Sequence, residues 1–94
     1  MVKEIDLHTD SFLKDSSGMS NEQLVQKSLQ KMRNELDKAI DSGIKEIRFI
    51  HGRGTGVLKE RVYHELRVHE KDGLIERFEP AFFNHGVVIV TITF

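Results

Sequence analysis

The 94-residue sequence contains no cysteine and only one proline. The absence of cysteine excludes a disulfide framework, a thiolate nucleophile and a zinc-thiolate cluster, so the fold must be stabilised by a hydrophobic core. That composition is usual for cytoplasmic proteins, and we expect a cytoplasmic location. At this length we expect one domain over residues 1–94, with no room for a second.

Long apolar runs and an excess of one charge are also missing. No run approaches the roughly 18 residues that span a bilayer, so we expect no membrane insertion. The formal net charge is only −1, whereas dedicated duplex-DNA binders usually carry a basic excess. Contact with nucleic acid must therefore be local, and the segment from Lys45 to Arg67 offers a basic set: Lys45, Arg48, Arg53, Lys59, Arg61 and Arg67.

The first half of the chain has the pattern strand, helix, strand. Residues Glu4–Asp10 alternate apolar and polar side chains, as a half-buried strand does. Residues 11–19 are predicted to form an exposed loop in which Phe12 and Leu13 can dock on a neighbour. Ser20 and Gln23 form a capping box before a helix of about six turns with apolar positions Val25, Leu29, Met32, Leu36 and Ile40. Gly43 ends that helix, and Ile44–Ile50 is the second strand.

The second half contains another helix and two more strands. The second helix is marked by Leu58, Val62 and Leu66, and it ends before Asp72 and Gly73. Strands are predicted at Leu74–Ala81 and Val87–Phe94. Their short connection, with Asn84 and Gly86 able to adopt positive φ, favours an antiparallel hairpin.

These elements predict an α/β fold of the two-layer α+β kind. The order is β-α-β-α-β-β, in a four-stranded mixed sheet with both helices on one face. The helical crossover makes the first two strands parallel. Their carboxyl ends then meet at one edge, which brings Asp6 and His8 close to His51 and, we expect, places His8, His51 and Arg53 on one surface patch.

The loop after the second strand is a candidate anion site. Its glycines allow backbone amides to approach a ligand, and it leads directly into the start of a helix. Val57 stands where a dinucleotide fingerprint requires glycine, and no Gly-Lys-Ser/Thr is present, so neither NAD nor ATP is indicated. A plain strand-to-helix turn would also explain the glycines. The candidate phosphate-binding residues are His51, Gly52, Arg53, Gly54, Thr55 and Gly56.

Asp6 and His8 are candidates for acid-base chemistry, because a carboxylate can fix the protonation state of an adjacent imidazole. The same pair is also common on solvated strands without any function. A third interpretation is that Asp6, His8 and Asp10 bind a metal ion from alternate positions of the strand. The twist of a strand, however, would move Asp10 away from the other two side chains. His64 and His69 are expected at the helix surface, and His85 lies in the hairpin near the same edge.

Two segments of the sequence resemble motifs of the Smr (small MutS-related) domain family. Ile5-Asp6-Leu7-His8 is similar to Leu-Asp-Leu-His, and the segment from His51 to Leu58 is similar to His-Gly-Lys/Arg-Gly-x-Gly-x-Leu. The resemblance covers essentially the whole chain. It implies a fold similar to the C-terminal domain of translation initiation factor three, and it is compatible with the chain being the C-terminal part of a longer protein.

The resemblance also implies function, because Smr domains bind nucleic acid and several nick DNA or cut RNA, including messenger RNA on stalled ribosomes. It assigns catalysis to Asp6, His8 and Arg53. No cofactor is firmly implied, although Mg²⁺ or Mn²⁺ would assist attack by water on DNA. The expected partners are DNA, RNA or the ribosome, bound by a monomeric domain.

The sequence departs from the family pattern at two points. Thr9 replaces the usual glycine after Asp-Leu-His, and Asn84-His85-Gly86-Val87 replaces the third motif, Gly-Gly-x-Gly-Ala-Thr. These departures, with the near-neutral charge, favour the alternative of a non-catalytic module that binds nucleic acid or the ribosome. A weaker alternative is recognition of a protein through an edge strand or through Phe12 and Leu13.

Overall fold

The computed structural model describes residues 2–52 and 56–92. Arg53, Gly54 and Thr55 of the glycine-rich loop, and the end of the predicted last strand, lie outside the described residues. The elements, in chain order, are β1 (Val2–Asp6), a 3₁₀ turn (Thr9–Ser11), α1 (Asn21–Asp41), β2 (Glu46–Ile50), α2 (Val57–Lys71), β3 (Ile75–Pro80) and β4 (Val87–Ile92). The predicted order β-α-β-α-β-β is confirmed.

The four strands form one mixed sheet in the order β1-β2-β4-β3. β1 pairs with β2 in parallel, and β4 is antiparallel to both β2 and β3. β1, β2 and β3 therefore end at the same edge of the sheet, and β4 begins there. We call this edge, with the loops that leave it, the carboxyl edge.

Both helices cover one face of the sheet, as predicted. Ile47 and Phe49 of β2 are fully buried on that face, together with Val88 and Val90 of β4, which pair with them in register. The helices contribute the other half of the core: Leu29, Met32, Leu36, Ala39, Val62 and Leu66. In the part of the chain that the structure describes, both helices lie on this face, and we call the opposite face the open face.

Local sequence fixes the ends of the helices. The Ser20 side chain accepts a hydrogen bond from the Gln23 backbone N–H, and the Gln23 side chain accepts one from the Ser20 N–H, so the predicted capping box is present. Gly43 follows α1 with φ +72°, a left-handed conformation that glycine adopts at little cost. Arg33 of α1 donates to Glu65 of α2 at 2.9 Å (Nε to Oε2), which ties the two helices together.

The prediction that the first strand extends to Asp10 is wrong. β1 ends at Asp6 because the chain turns into the 3₁₀ segment, where the Ser11 hydroxyl hydrogen-bonds to the backbone oxygens of Asp6 (3.1 Å) and His8 (2.7 Å). Serine can replace ladder hydrogen bonds with such local ones. Phe12 and Leu13 are half-buried against α1, where the Lys31 ammonium lies 5.8 Å from the centre of the Phe12 ring.

Among the described residues, the basic side chains between Lys45 and Arg67 do not form one patch. Arg48 lies on the open face of β2, paired with Glu46 at 2.9 Å, whereas Arg61 is on α2 and pairs with Glu22 of α1 at 2.9 Å. The segment crosses from a strand to a helix, and these two elements lie in different layers. Lys59 and Arg67 share a local surface beside Tyr63.

In residues 2–52 and 56–92, no helix is both long and apolar enough to cross a membrane.

Candidate functional site

The carboxyl edge brings Asp6 and His8 together. His8 Nδ1 lies 2.6 Å from Asp6 Oδ1, and the same oxygen accepts the backbone N–H of His8 at 2.9 Å. A carboxylate oxygen accepts a hydrogen bond here, so the neutral imidazole carries its proton on Nδ1 and has Nε2 as its unprotonated nitrogen. Both side chains are about half exposed. Asp6 therefore sets the tautomer and the orientation of an accessible imidazole.

Gly52 lies directly against His8. A Cβ atom at position 52 would overlap Nε2 and Cε1 of the His8 ring, and Gly52 has φ +83°. The position is therefore restricted to glycine twice, by space and by backbone conformation. Nε2 of His8 therefore lies against Gly52, the first glycine of the glycine-rich loop.

Two contacts that the sequence did not predict hold this arrangement. The buried Ser28 hydroxyl of α1 donates to the carbonyl of Leu7 at 2.6 Å, which fixes the residue between Asp6 and His8. On the other side, the Gly86 carbonyl accepts the N–H groups of His51 (2.9 Å) and Gly52 (3.0 Å). These partners come from distant parts of the chain, so local sequence carried no signal for them.

The predicted antiparallel hairpin is present, although neither Asn84 nor Gly86 uses the positive φ that its residue type allows. Space is what restricts position 86 to a small residue, since a Cβ there would lie 3.2 Å from Gly52 Cα. The Asn84 side-chain oxygen accepts the Gly86 N–H at 2.8 Å and stabilises the turn. The hairpin therefore packs its backbone directly against the glycine-rich loop.

His51 has its backbone at this edge, but its imidazole points into the helix layer and is only 4% exposed. The expected exposure of His51 on the same surface patch as His8 is therefore wrong. Its Nδ1 lies 2.9 Å from the Gly52 carbonyl, and its ring meets Tyr63 edge-on at 5.9 Å. Burial lowers the pKa of His51 and outweighs the hydrogen bond to the Gly52 carbonyl, which raises it; Lys59 and His8 add smaller lowering effects, so the neutral form is favoured. Its assignment to the phosphate site remains a prediction.

The start of α2 lies at the same edge. Its N-cap is Gly56, with φ +88° and no side chain to bond the first backbone amides, unlike Ser20 at the start of α1. Beside it is a shallow depression of about 370 Å³, lined by Gly56, Lys59, Glu60, Tyr63 and Arg67. Uncapped amides and nearby cations are features that favour an anion.

The remaining candidates are placed as follows. His85 is exposed in the hairpin at the carboxyl edge, while His64 is exposed and His69 partly buried on α2. Within the described ranges, no cluster of three or more histidine, aspartate and glutamate residues is arranged to hold a metal ion. Arg53, Gly54 and Thr55 lie in the gap between those ranges.

The fold and this edge define a class of protein: a two-layer α/β domain with an aspartate-oriented histidine beside a glycine-rich loop that leads into a helix. The Smr domain family model matches residues 5–93, and the chain belongs to the Smr domain family. The Smr domain of Thermus thermophilus MutS2 has a solved structure that superposes with a TM-score of 0.72 at 29% identity, covering 97% of this chain and 98% of that one.

The similar curated proteins are named endonuclease MutS2. One from Thermomicrobium roseum is 31% identical over 70 residues, covering 74% of this chain and 8% of that protein. One from Thermus thermophilus is 30% identical over 94 residues, covering 97% of this chain and 10% of that protein. The chain therefore spans a tenth or less of the length of these relatives.

Proposed function

We propose that this domain binds nucleic acid at the carboxyl edge and cleaves a phosphodiester bond there. The observation that carries the proposal is the position of His8, whose Nδ1 is held by Asp6 while its Nε2 faces Gly52. An accessible imidazole with a fixed tautomer, set beside an anion-binding loop, has the parts needed for proton transfer at a bound phosphate. Membership of a family whose relatives include proteins named endonuclease supports the same reading.

In this mechanism His8 exchanges a proton through Nε2, and Asp6 stabilises the imidazolium that forms. Arg53 and the amides of the glycine-rich loop neutralise the charge that builds on the phosphoryl oxygens. On RNA the 2′-hydroxyl loses its proton to His8 and attacks phosphorus, the P–O5′ bond breaks, and the 5′-oxygen takes up a proton, which leaves a 2′,3′-cyclic phosphate and a 5′-hydroxyl without need of a metal. On DNA water attacks, and Mg²⁺ or Mn²⁺ would assist it.

The phosphate is proposed to lie between His8 and the start of α2. Gly56, the N-cap of α2, has no side chain to bond the first backbone amides of that helix, and Lys59 and Arg67 add positive charge beside it. Because the net charge of the chain is −1, attraction to nucleic acid must come from this local surface, and binding should weaken steeply with salt.

The wider setting is part of the proposal. We place the domain in the cytoplasm as a monomer acting on DNA during repair or on RNA, including RNA at the ribosome. Family membership supports this setting, and a cysteine-free composition is compatible with it.

The test compares His8→Ala and Arg53→Ala, with His64→Ala as a matched control from the exposed surface of α2. His8 acts only during the reaction, so His8→Ala should abolish single-turnover cleavage and retain most binding. Arg53 holds phosphate in the ground and transition states, so Arg53→Ala should reduce both, with a nearly unchanged melting temperature. Cleavage by His8→Ala at the wild-type rate would remove His8 from the mechanism.

The second candidate is binding without cleavage, which the altered third motif around Asn84 and His85 favours. Both candidates predict binding of labelled DNA or RNA by the wild type. If binding occurs but no product forms with Mg²⁺, Mn²⁺ or EDTA, the binding module is the correct reading. If neither binding nor cleavage occurs, both are wrong.

A further inference from the structure

Two phenylalanines at the tip of the β3–β4 hairpin are exposed to solvent. Phe82 is 93% exposed and Phe83 50%, which makes Phe82 the most exposed large apolar side chain in the described part of the chain. Their rings meet edge to face, with centroids 5.4 Å apart. Exposure of nearly a whole phenyl ring to water is unfavourable, and the contact with Phe83 buries little of the Phe82 ring, so its position needs another explanation.

Phe82 is not required by the hairpin itself. The turn is closed by backbone hydrogen bonds from Ala81 N to Val87 O (3.0 Å) and from Val87 N to Asn84 O (3.2 Å). The Asn84 side chain completes it through Gly86. None of these contacts uses the Phe82 ring, so Phe82 can be replaced without loss of the fold.

The hairpin places Phe82 at the carboxyl edge, which is the edge of the sheet where His8 also lies. β3 ends at Pro80, level with the ends of β1 and β2. The hairpin is fixed to the glycine-rich loop, because the Gly86 carbonyl accepts the N–H of Gly52. β1 and β3 are the two outer strands of a four-stranded sheet, so His8 and Phe82 are separated by about 14 Å of sheet width. A few nucleotides of a single strand can cover that distance.

A cation accompanies the aromatic pair. The Arg48 guanidinium lies 5.2 Å from the centre of the Phe83 ring, on the open face of the sheet. Arg48 also pairs with Glu46, which fixes its position at 2.9 Å (Nε to Oε2). An exposed ring beside a held guanidinium is the combination that binds a base and its phosphate in proteins that recognise single strands.

We propose that Phe82 stacks on an unpaired base of the strand whose phosphate lies beside His8, so that the domain selects single-stranded or locally unpaired nucleic acid. In the interior of a duplex, each base has both faces stacked, and its π-surface is not accessible to a side chain. This inference rests on the proposed function, and it adds a substrate class: strands with an accessible base a few nucleotides from the phosphate at the glycine-rich loop.

The experiment measures equilibrium binding of the 94-residue chain to short fluorescent oligonucleotides. The probes are a DNA single strand, the RNA of the same sequence, the DNA strand with abasic sites in place of its bases, and the blunt DNA duplex. The variants are Phe82→Leu, which keeps an apolar side chain and loses the aromatic face, and Phe82→Trp, which keeps an aromatic face. Leu74→Ala is the matched control, since Leu74 is 44% exposed at the opposite edge, where β3 begins.

The wild type should bind the single strands more tightly than the abasic strand or the duplex. Phe82→Leu should weaken binding of the single strands roughly five- to hundredfold and leave the abasic strand and the duplex unchanged. Phe82→Trp should retain wild-type binding, as should Leu74→Ala. Similar losses on the DNA and RNA strands would show that the base, and not the sugar, is recognised; a loss confined to one of them would support stacking and identify the preferred strand.

Three results would overturn the inference while the proposed function stands: equal wild-type affinity for intact and abasic strands, tighter binding of the duplex, or full binding of single strands by Phe82→Leu. Each would show that Phe82 does not select an unpaired base and that its exposure has another reason, such as contact with a protein. Absence of wild-type binding to every probe would instead contradict the proposed function itself.

Discussion

The imidazole of His8 lies where a side chain at Gly52 would be. Nε2 and Cε1 of His8 occupy the volume of a Cβ on that glycine, and the backbone of Gly52 has φ +83°. His8 and Gly52 are 44 residues apart in sequence, yet the parallel pairing of β1 with β2 brings the segments after these strands into contact. A substitution at Gly52 can therefore displace the His8 ring without changing His8 itself.

Gly52→Ala should impair the site more than it impairs the fold. The left-handed backbone costs alanine about 1 kcal/mol of folding free energy, and the new methyl group displaces the His8 ring. Gly43→Ala is the control, because Gly43 has φ +72° and no atom within 4 Å of an added Cβ. Both variants should lose similar stability in urea unfolding, and only Gly52→Ala should lose cleavage. Equal cleavage by the two variants would show that the position of His8 is not critical.

Ser28→Ala should destabilise the domain by about 1 to 3 kcal/mol. The substitution leaves the buried Leu7 carbonyl without the hydroxyl that donates to it at 2.6 Å, and an unpaired buried polar group carries that order of cost. Ser42→Ala, at an exposed position after α1, should change stability by no more than about 0.5 kcal/mol. The free energy of unfolding in urea measures both, and equal values would mean that the Ser28 contact contributes nothing.

His51 should make the fold less stable in mild acid. Burial lowers its pKa below the ordinary 6.5, so the unfolded chain binds a proton more readily than the folded one. This contribution is fully present above pH 6.5 and decreases as the pH falls below that value, down to the lowered pKa of the folded state. His51→Gln should flatten the pH dependence of stability in this range. An unchanged slope between wild type and His51→Gln would contradict the burial argument.

Glu35 should stabilise the fold over a different range of pH. Its carboxylate is buried beside Lys3 (2.8 Å) and Lys31 (3.0 Å), and the hydrogen bond from Lys3 is the main reason that its pKa falls from 4.5 to about 2. The stabilisation is present above pH 4.5 and is lost as the pH falls toward 2.

The Glu35 contribution is about 1 to 3 kcal/mol, measured as the difference in unfolding free energy between pH 5 and the acid limit. Glu35→Gln should lose this difference. Glu79→Gln, which changes an exposed carboxylate of β3, should retain it. If Glu35→Gln showed the same pH dependence of the unfolding free energy as the wild type, the Glu35 carboxylate would not stabilise the fold.

Local sequence determined most of the fold. The capping pair Ser20 and Gln23 and the apolar spacing of α1 act over a few residues, so they could be predicted from the sequence alone. The same holds for the order of the elements, and the helical crossover determined that β1 and β2 are parallel. The motifs Ile5–His8 and His51–Leu58 indicated the Smr family before any geometry was known.

The tertiary structure decided how the site is assembled. The contact of Gly86 with Gly52, the hydroxyl of Ser28 on Leu7 and the burial of His51 each join segments that are far apart in sequence. The periodicity of apolar residues predicts which face of a helix or strand is buried. It does not predict which distant side chain or carbonyl group contacts that face. Those pairings follow only from the packing of the helices and the hairpin against the sheet, because packing alone fixes the distances between groups that the sequence leaves independent.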